Sequence, residues 1–111
     1  MNKEMTLNEY QYKAMETAVY PLPCIYTALG LAGEAGEVAN KVKKVLRDAN
    51  SDFSDEARKK AIADEIGDVM WYCATLAHDL GFSLEEIAEN NYSKLASRKL
   101  KGTLHGDGDN R

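Results

Sequence analysis

The chain has 111 residues, 44% of them hydrophobic and 29% charged, and its 14 basic and 18 acidic side chains give a net charge of −4. This length predicts a single domain over residues 1–111, and the acidic balance argues against binding to duplex nucleic acid or to an anionic membrane surface. Two cysteines, no apolar leader and no run of about 18 apolar residues predict a cytoplasmic protein with reduced thiols and no membrane span.

Helical periodicity runs through almost the whole chain, and no alternating run is long enough for a strand. The first helix is predicted from Thr6, which forms a capping box with Glu9, to about Val19, before two closely spaced prolines. The second helix is predicted to begin at residue 24 or 25 and to continue to about Arg47.

The third predicted helix starts near Ser54 as N-cap and ends before Gly81, the residue type expected where a helix stops in a left-handed conformation. The fourth starts at Ser83, which forms a second predicted capping box with Glu86, and it fades between residues 98 and 101.

Two long helices, with a shorter one before and after them, predict an all-α fold, a four-to-five-helix bundle. Bundles of this size often pair to complete a core, so we expect completion by dimerisation. The polar, glycine-rich tail from about 102 to 111 is predicted to be disordered.

An internal repeat relates residues 31–38 to residues 62–69, with Ala, Glu, Gly and Val identical at four positions. Each copy carries two acids three residues apart, which lie side by side on one helix face. In both helices this face borders the apolar stripe. Antiparallel packing of the second and third helices would therefore bring together four carboxylates: Glu34, Glu37, Glu65 and Asp68.

Three glycines, Gly33, Gly36 and Gly67, adjoin these acids. A glycine inside a helix costs about 1 kcal/mol relative to alanine. We therefore expect a partner helix or a ligand to approach closely there.

Four converging carboxylates repel one another unless some stay protonated or a cation binds. An all-oxygen set favours Mg²⁺, with Mn²⁺ or Ca²⁺ as substitutes, and the sequence places no histidine at a spacing that suits zinc or a di-iron pair. The same acids would also fit an interface salt-bridge network or a solvated face.

The fourth helix places Asn91, Lys94 and Arg98 on one face. They could contact phosphate or ribose, or they could be solvated side chains near a helix C-terminus, where cations are favoured. In the basic run of the second helix only Lys41 falls on the acid side, and the other cations are interpreted as solvated. Trp71 and the tyrosine after it could stack on a base, although a packing role is favoured.

The acid pattern, Glu34-x-x-Glu37 and, after 27 residues, Glu65-x-x-Asp68, resembles the signature of the MazG-like nucleoside triphosphate pyrophosphohydrolases, members of the all-α NTP pyrophosphatase superfamily. Residues 29–37 and 64–69 are similar to the first two motifs of that family, and residues 91–98 to its trailing motif. Residues 102–111 resemble a C-terminal signature of a small single-domain branch. The resemblance covers residues 5–111.

This resemblance implies Mg²⁺-dependent hydrolysis of a nucleoside triphosphate between its α and β phosphates, giving a monophosphate and pyrophosphate. It also implies a helical bundle that forms a homodimer or a dimer of dimers, and a role in nucleotide-pool house-cleaning or regulation. The four acids would hold the metal, and Glu34 or Glu37 would be the catalytic base. The candidate substrate contacts are Lys41, Asn91, Lys94, Arg98, Asp109 and Arg111.

Two alternatives stay open. The enzyme could act on another nucleotide, such as dUTP, dCTP or phosphoribosyl-ATP, because base choice depends on pocket shape. The chain could instead be a non-catalytic helical interaction module whose acids form interface salt bridges.

Overall fold

A computed structural model describes residues 4–102 of the protein. This part of the chain forms four helices and no strand: α1 (Leu7–Met15), α2 (Ile25–Ala49), α3 (Glu56–Asp79) and α4 (Leu84–Lys101). The all-α prediction is confirmed. Most of the predicted disordered tail, with its candidate residues Asp109 and Arg111, lies outside the described residues.

The two long helices form an antiparallel pair. Thr27 near the start of α2 is hydrogen-bonded to Asp79 at the end of α3, and Lys41, further along α2, pairs with Glu65. Within residues 4–102, α2 contacts α3 and no other helix, whereas α3 also contacts α1 and α4. The third helix is therefore the centre of the fold, with α2 on one side and α1 and α4 on the other.

Thr6 and Ser83, two of the predicted capping residues, are the N-caps of α1 and α4. The Ser83 hydroxyl accepts the Glu86 N–H at 3.1 Å and the Glu86 carboxylate accepts the Ser83 N–H at 2.7 Å, so this capping box is complete. At α1, the Thr6 hydroxyl accepts the Glu9 N–H at 3.1 Å and donates to the Glu9 carboxylate at 3.2 Å. A side-chain cap satisfies backbone donors that have no partner inside the helix.

The predicted end of α1 at Val19 is wrong, because the helix stops at Met15. The Thr17 hydroxyl donates to the Ala14 carbonyl at 3.0 Å, and the Val19 N–H donates to the Thr17 carbonyl at the same distance. These local bonds compete with the helical ladder and close a turn before the prolines.

Two other boundaries differ by one or two residues from prediction. The second helix continues to Ala49, and Asn50 ends it in a left-handed conformation with φ 51°. Asp55, rather than Ser54, is the N-cap of α3, because its carboxylate accepts the Arg58 N–H at 3.2 Å. Asn50 and Asp55 are short polar residues, a type common at helix C-termini and at N-caps respectively.

Hydrogen bonds to Asp79 connect the linker between α1 and α2 with the end of α3. Its carboxylate accepts hydrogen bonds from the Tyr20 hydroxyl at 2.8 Å, the Cys24 N–H at 3.0 Å and the Thr27 hydroxyl at 3.0 Å. Burial opposes ionisation, but these bonds outweigh it and lower the pKa of Asp79, whereas burial and the bond to Asp79 raise the pKa of Tyr20 to about 12.

The core of the described chain is thin. Its buried hydrophobic residues are Ala14, Val45, Ala74 and Ala77, while large apolar side chains such as Leu29 (70% exposed) and Val19 (92% exposed) face outward. A helical face this apolar normally packs against another element. Completion of the bundle by a second copy stays a prediction.

Both cysteines are free thiols, as predicted. No helix in residues 4–102 is both long enough and apolar enough to cross a membrane.

Candidate functional site

Three of the four predicted acids converge between α2 and α3. Glu34 from α2 and both Glu65 and Asp68 from α3 each offer an oxygen, and these oxygens all lie within 4.8 Å of one another. The i,i+3 spacing puts the α3 pair on one face, and the antiparallel packing sets Glu34 opposite it. Glu34 and Glu65 are half-buried and Asp68 is exposed.

Glu37 lies outside this group of three and is exposed to solvent. It is still close enough for its charge to contribute to raising the pKa of Glu34. Its role as a fourth ligand, and as an alternative catalytic base, stays a prediction.

The surroundings of Glu34 disfavour its ionisation. A hydrogen bond to the Glu65 carboxyl, followed by burial and the negative charges of Asp68, Glu65 and Glu37, raises the pKa of Glu34 above its ordinary value of 4.5. Neighbouring negative charges disfavour ionisation of a carboxyl unless a positive charge compensates them. This is the electrostatic conflict that the acid pattern predicted.

Lys41 supplies one such charge. Its Nζ lies 3.6 Å from Oε1 of Glu65, and both side chains are largely withdrawn from solvent, with 33% and 17% of their surfaces exposed. The position of Lys41 beside the acids agrees with the wheel argument, since it follows Glu34 by two turns on the same face of α2.

Gly30 and Tyr72 border the acids on the side away from Lys41. Gly30 lies one turn from Glu34 in α2, and Tyr72 lies one turn from Asp68 in α3. A Cβ added at Gly30 would lie only 2.2 Å from Cε1 of Tyr72, so the glycine makes room for the ring. Burial, the charge and hydrogen bond of Tyr26, and then the charges of Glu34 and Asp68 raise the pKa of Tyr72. Sequence reasoning did not single out Gly30, although a glycine four residues before a candidate ligand was a usable signal.

The expected close approach at the other glycines is not seen within the described chain. A Cβ added at Gly33, Gly36 or Gly67 would project into open space, with no packing neighbour within 4 Å. A partner helix or a ligand there stays a prediction.

Trp71 belongs to a cluster of packed rings. Its indole N–H donates to the Thr17 hydroxyl at 2.9 Å, and its ring meets Tyr72 edge-on at 5.0 Å and Tyr20 at 6.2 Å. Tyr20 in turn stacks on Tyr26 at 5.4 Å. These contacts support the packing interpretation of Trp71.

The predicted phosphate contacts of α4 do not join the acid cluster. The fourth helix contacts α1 and α3 but not α2, so its side chains lie across α3 from Glu34. Asn91 and Lys94 line a separate cavity of about 490 Å³, whereas Arg98 is buried, with only 4% of its surface exposed. The shared helical face is real, but its members have different surroundings.

Cations from both long helices surround a cleft next to the acids; the sequence analysis assigned Lys44 to solvent and did not consider Arg58. Lys41, Lys44 and Arg58 line it together with Val45 and Ala61, and its volume is about 160 Å³. Lys44 lies on α2 and Arg58 on α3. Their meeting depends on how the two helices are aligned, which neither helical wheel reports alone.

A family model for the MazG nucleotide pyrophosphohydrolase domain matches residues 25–102. The Gene 37 protein of Mycobacterium phage L5 is 45% identical to this chain over 115 aligned residues, which cover 96% of this chain and 100% of the phage protein. No solved structure matches the chain. The matched range begins at the start of α2 and contains both acid pairs and the cleft cations. The chain therefore belongs to the family of MazG nucleotide pyrophosphohydrolase domains.

Proposed function

We propose that this protein hydrolyses nucleoside triphosphates between the α and β phosphates, releasing a nucleoside monophosphate and pyrophosphate, with Mg²⁺ as cofactor. Family membership supports a nucleotide pyrophosphohydrolase in general. The observation that carries the finer proposal is the convergence of Glu34, Glu65 and Asp68 within 4.8 Å. A nucleotide-pool role, as house-cleaning or as regulation, follows from that reaction.

The donor set fits a hard divalent cation. Glu34, Glu65 and Asp68, whose oxygens lie within 4.8 Å of one another, would hold Mg²⁺, which prefers oxygen ligands. Carboxylate oxygens also suit Mn²⁺, which is the expected substitute. Magnesium bound there would neutralise phosphate charge and favour ionisation of a water molecule.

Side chains of this protein would accept the proton of the attacking water and offset the charge of the phosphates. The two acids of α2, Glu34 and Glu37, are the candidates to take the proton of the attacking water. The oxygen of the water molecule bonds to the α phosphorus, and the bond from that phosphorus to the bridging oxygen breaks. The pyrophosphate leaves with the bridging oxygen. Lys41, which is paired with Glu65, would offset negative charge as the polyphosphate approaches.

We also propose that the active form is a homodimer or a dimer of dimers. The exposed apolar surface of α2, including Ile25 and Leu29, supports this. Because α4 does not contact α2, Asn91 and Lys94 would contact a substrate bound mainly by another subunit. Arg98, only 4% exposed, would reach such a substrate only after its surroundings rearrange. The proposed contacts from Asp109 and Arg111 lie outside the described residues.

Product identification tests this proposal. A panel of ribo- and deoxynucleoside triphosphates, with dUTP and dCTP included, is incubated with and without Mg²⁺, and the products are separated. We expect monophosphate and pyrophosphate in equal amounts, and only with Mg²⁺ or Mn²⁺. Diphosphate and free phosphate would contradict the proposed bond. Inactivity towards every triphosphate but activity on phosphoribosyl-ATP would change the substrate, and inactivity towards all of them would favour the interaction module.

A further inference from the structure

We propose that the cleft lined by Lys41, Lys44 and Arg58 binds the terminal phosphates of the substrate and the pyrophosphate formed from them. This inference rests on the proposed function and adds to it the direction in which the nucleotide lies between α2 and α3. The terminal phosphates would point into this cleft, and the nucleoside would lie towards Gly30 and Tyr72.

The cleft is built from both long helices. Lys41 and Lys44 come from α2 and Arg58 from α3, while Val45, only 1% exposed, and Ala61 complete the lining. Its volume of about 160 Å³ is well below the roughly 300–1,000 Å³ of pockets that enclose drug-sized ligands. The cleft therefore suits phosphate groups better than a whole nucleoside.

The cleft adjoins the acid cluster through Lys41. Lys41 lines the cleft and also lies 3.6 Å from Oε1 of Glu65, one of the three converging acids. Lys44 follows Lys41 by three residues, which is about 4.5 Å along a helix axis. A chain of phosphates that begins at the acids thus meets successive cations in this direction.

The charges around the cleft leave donors for an anion. Arg58 Nε lies 3.7 Å from Oδ2 of Asp55, but a guanidinium has five N–H donors, so others can bind phosphate oxygens. Arg47 donates two hydrogen bonds to the Asp48 carboxylate, at 2.7 and 2.8 Å. Arg47 is the main cause of the lowered pKa of Asp48, and the charges of Arg58 and Lys44 contribute less. Lys44 forms no ion pair with a carboxylate in residues 4–102.

The chemistry of the cleft differs from that of the opposite side of the acids. The lining of the cleft contains three cations and no aromatic ring. Tyr72 and the rings that contact it lie on the other side of the acid cluster, away from the cleft. Charge-assisted hydrogen bonds from Arg and Lys suit phosphate oxygens, and this lining offers no ring on which a base could stack. In a protein of net charge −4, this local excess of positive charge is most simply explained by an anionic ligand.

The test compares Lys44→Gln and Arg58→Gln with Lys43→Gln, which removes an exposed α2 cation outside the cleft. Inorganic pyrophosphate is titrated against each full-length protein in Mg²⁺ by calorimetry, and the KM for the best triphosphate and inhibition by its monophosphate are measured. Removing one charge-assisted contact should weaken pyrophosphate binding and raise the KM by about tenfold. Inhibition by the monophosphate should change less than twofold, and Lys43→Gln should behave as wild type.

The two proposals fail in different ways. If wild type hydrolyses triphosphates but both cleft variants match Lys43→Gln, the cleft inference is overturned and the proposed function stands. If wild type hydrolyses none, the proposed function fails, and the pyrophosphate titration still decides whether the cleft binds polyphosphate. Lys44 is exposed, so Lys44→Gln gives a result even if Arg58→Gln does not fold.

Discussion

At the scale of single residues, Glu34 is the acid of α2 that lies against the acid pair of α3. It faces Glu65 and Asp68 across the α2–α3 contact, and its pKa is raised by a hydrogen bond to Glu65, by burial and by the neighbouring negative charges. Without metal, the Glu34 carboxyl therefore keeps its proton to a higher pH in the folded protein than in the unfolded chain.

This gives the metal-free protein a definite pH dependence. A carboxyl whose folded pKa is raised keeps its proton longer in the folded state, so the free energy of unfolding falls as pH rises from 4.5 through the folded pKa. We expect wild type in EDTA to lose stability across this interval relative to Glu34→Gln, as measured by urea unfolding at a series of pH values.

The matched control is Glu89→Gln, which removes an exposed acid of α4 remote from the cluster. Its pH profile should run parallel to that of wild type. A Glu34→Gln profile parallel to wild type as well would mean that the carboxyl titrates normally. Added Mg²⁺ should abolish the loss in wild type, because metal binding requires the ionised ligands.

Gly30 provides a second test at this scale. In Gly30→Ala the new methyl would lie 2.2 Å from the Tyr72 ring, which is also packed against Trp71 at 5.0 Å. Overpacking of this kind costs about 1–3 kcal/mol, against which alanine recovers about 1 kcal/mol of helix propensity. We expect net destabilisation in urea unfolding.

Gly36→Ala is the matched substitution, because the space around its Cβ position is open in the described chain. It should stabilise an isolated chain by up to about 1 kcal/mol. If Gly30→Ala proved as stable as Gly36→Ala, the close contact with Tyr72 would be refuted. Loss of assembly in Gly36→Ala would identify the glycine as a contact for a partner helix.

At the scale of elements, Asp79 determines how the linker and α2 meet α3. Asp79→Asn keeps the shape but weakens the bonds from Tyr20, Cys24 and Thr27 that now end on a charged acceptor. Hydrogen bonds to charged groups contribute about 1.5–3 kcal/mol, so we expect a loss of about 2 kcal/mol in urea unfolding at neutral pH.

The pKa of Asp79 is lowered from 3.8, so its contribution is present above that value and is lost as pH falls through the folded pKa. Asp64→Asn is the control, because Asp64 makes an exposed ion pair with Lys60. Such pairs contribute about 0.5 kcal/mol or less. Equal effects of the two substitutions would rule out a special role for Asp79.

Local patterns predicted most of the elements, because a cap or a periodic face acts within one or two turns. Ser83 with Glu86 indicated the start of α4, and the acid spacing indicated the faces of α2 and α3 that meet. The end of α1 was missed because the Thr17 hydroxyl forms a competing bond with Ala14. The cation cleft was missed because Arg58 meets Lys44 only once the two helices are aligned.

At the scale of the whole molecule, many large apolar side chains of the described residues are exposed. Leu29 is 70% exposed and Ile25 59% exposed on α2, which packs only against α3 among the described helices. We expect sedimentation equilibrium to give a mass of two or four chains. Leu29→Glu should lower that mass, because a charge at an apolar contact is not compensated. A monomeric wild type at micromolar concentration would contradict the proposed assembly.

We propose above all that Glu34, Glu65 and Asp68 hold the metal at which a triphosphate is cleaved. The most direct test of this proposal compares Glu65→Gln with Asp64→Asn, adjacent carboxylates of which only Glu65 belongs to the cluster. Pyrophosphate release and thermal stability are measured for both, with and without Mg²⁺. We predict that Mg²⁺ stabilises wild type and Asp64→Asn, by about 2.7 kcal/mol at a hundred times the dissociation constant. Glu65→Gln should lose this stabilisation and at least about a hundredfold in rate, equivalent to about 2.7 kcal/mol. A Glu65→Gln variant that is as active and as strongly stabilised by Mg²⁺ as Asp64→Asn would contradict the account.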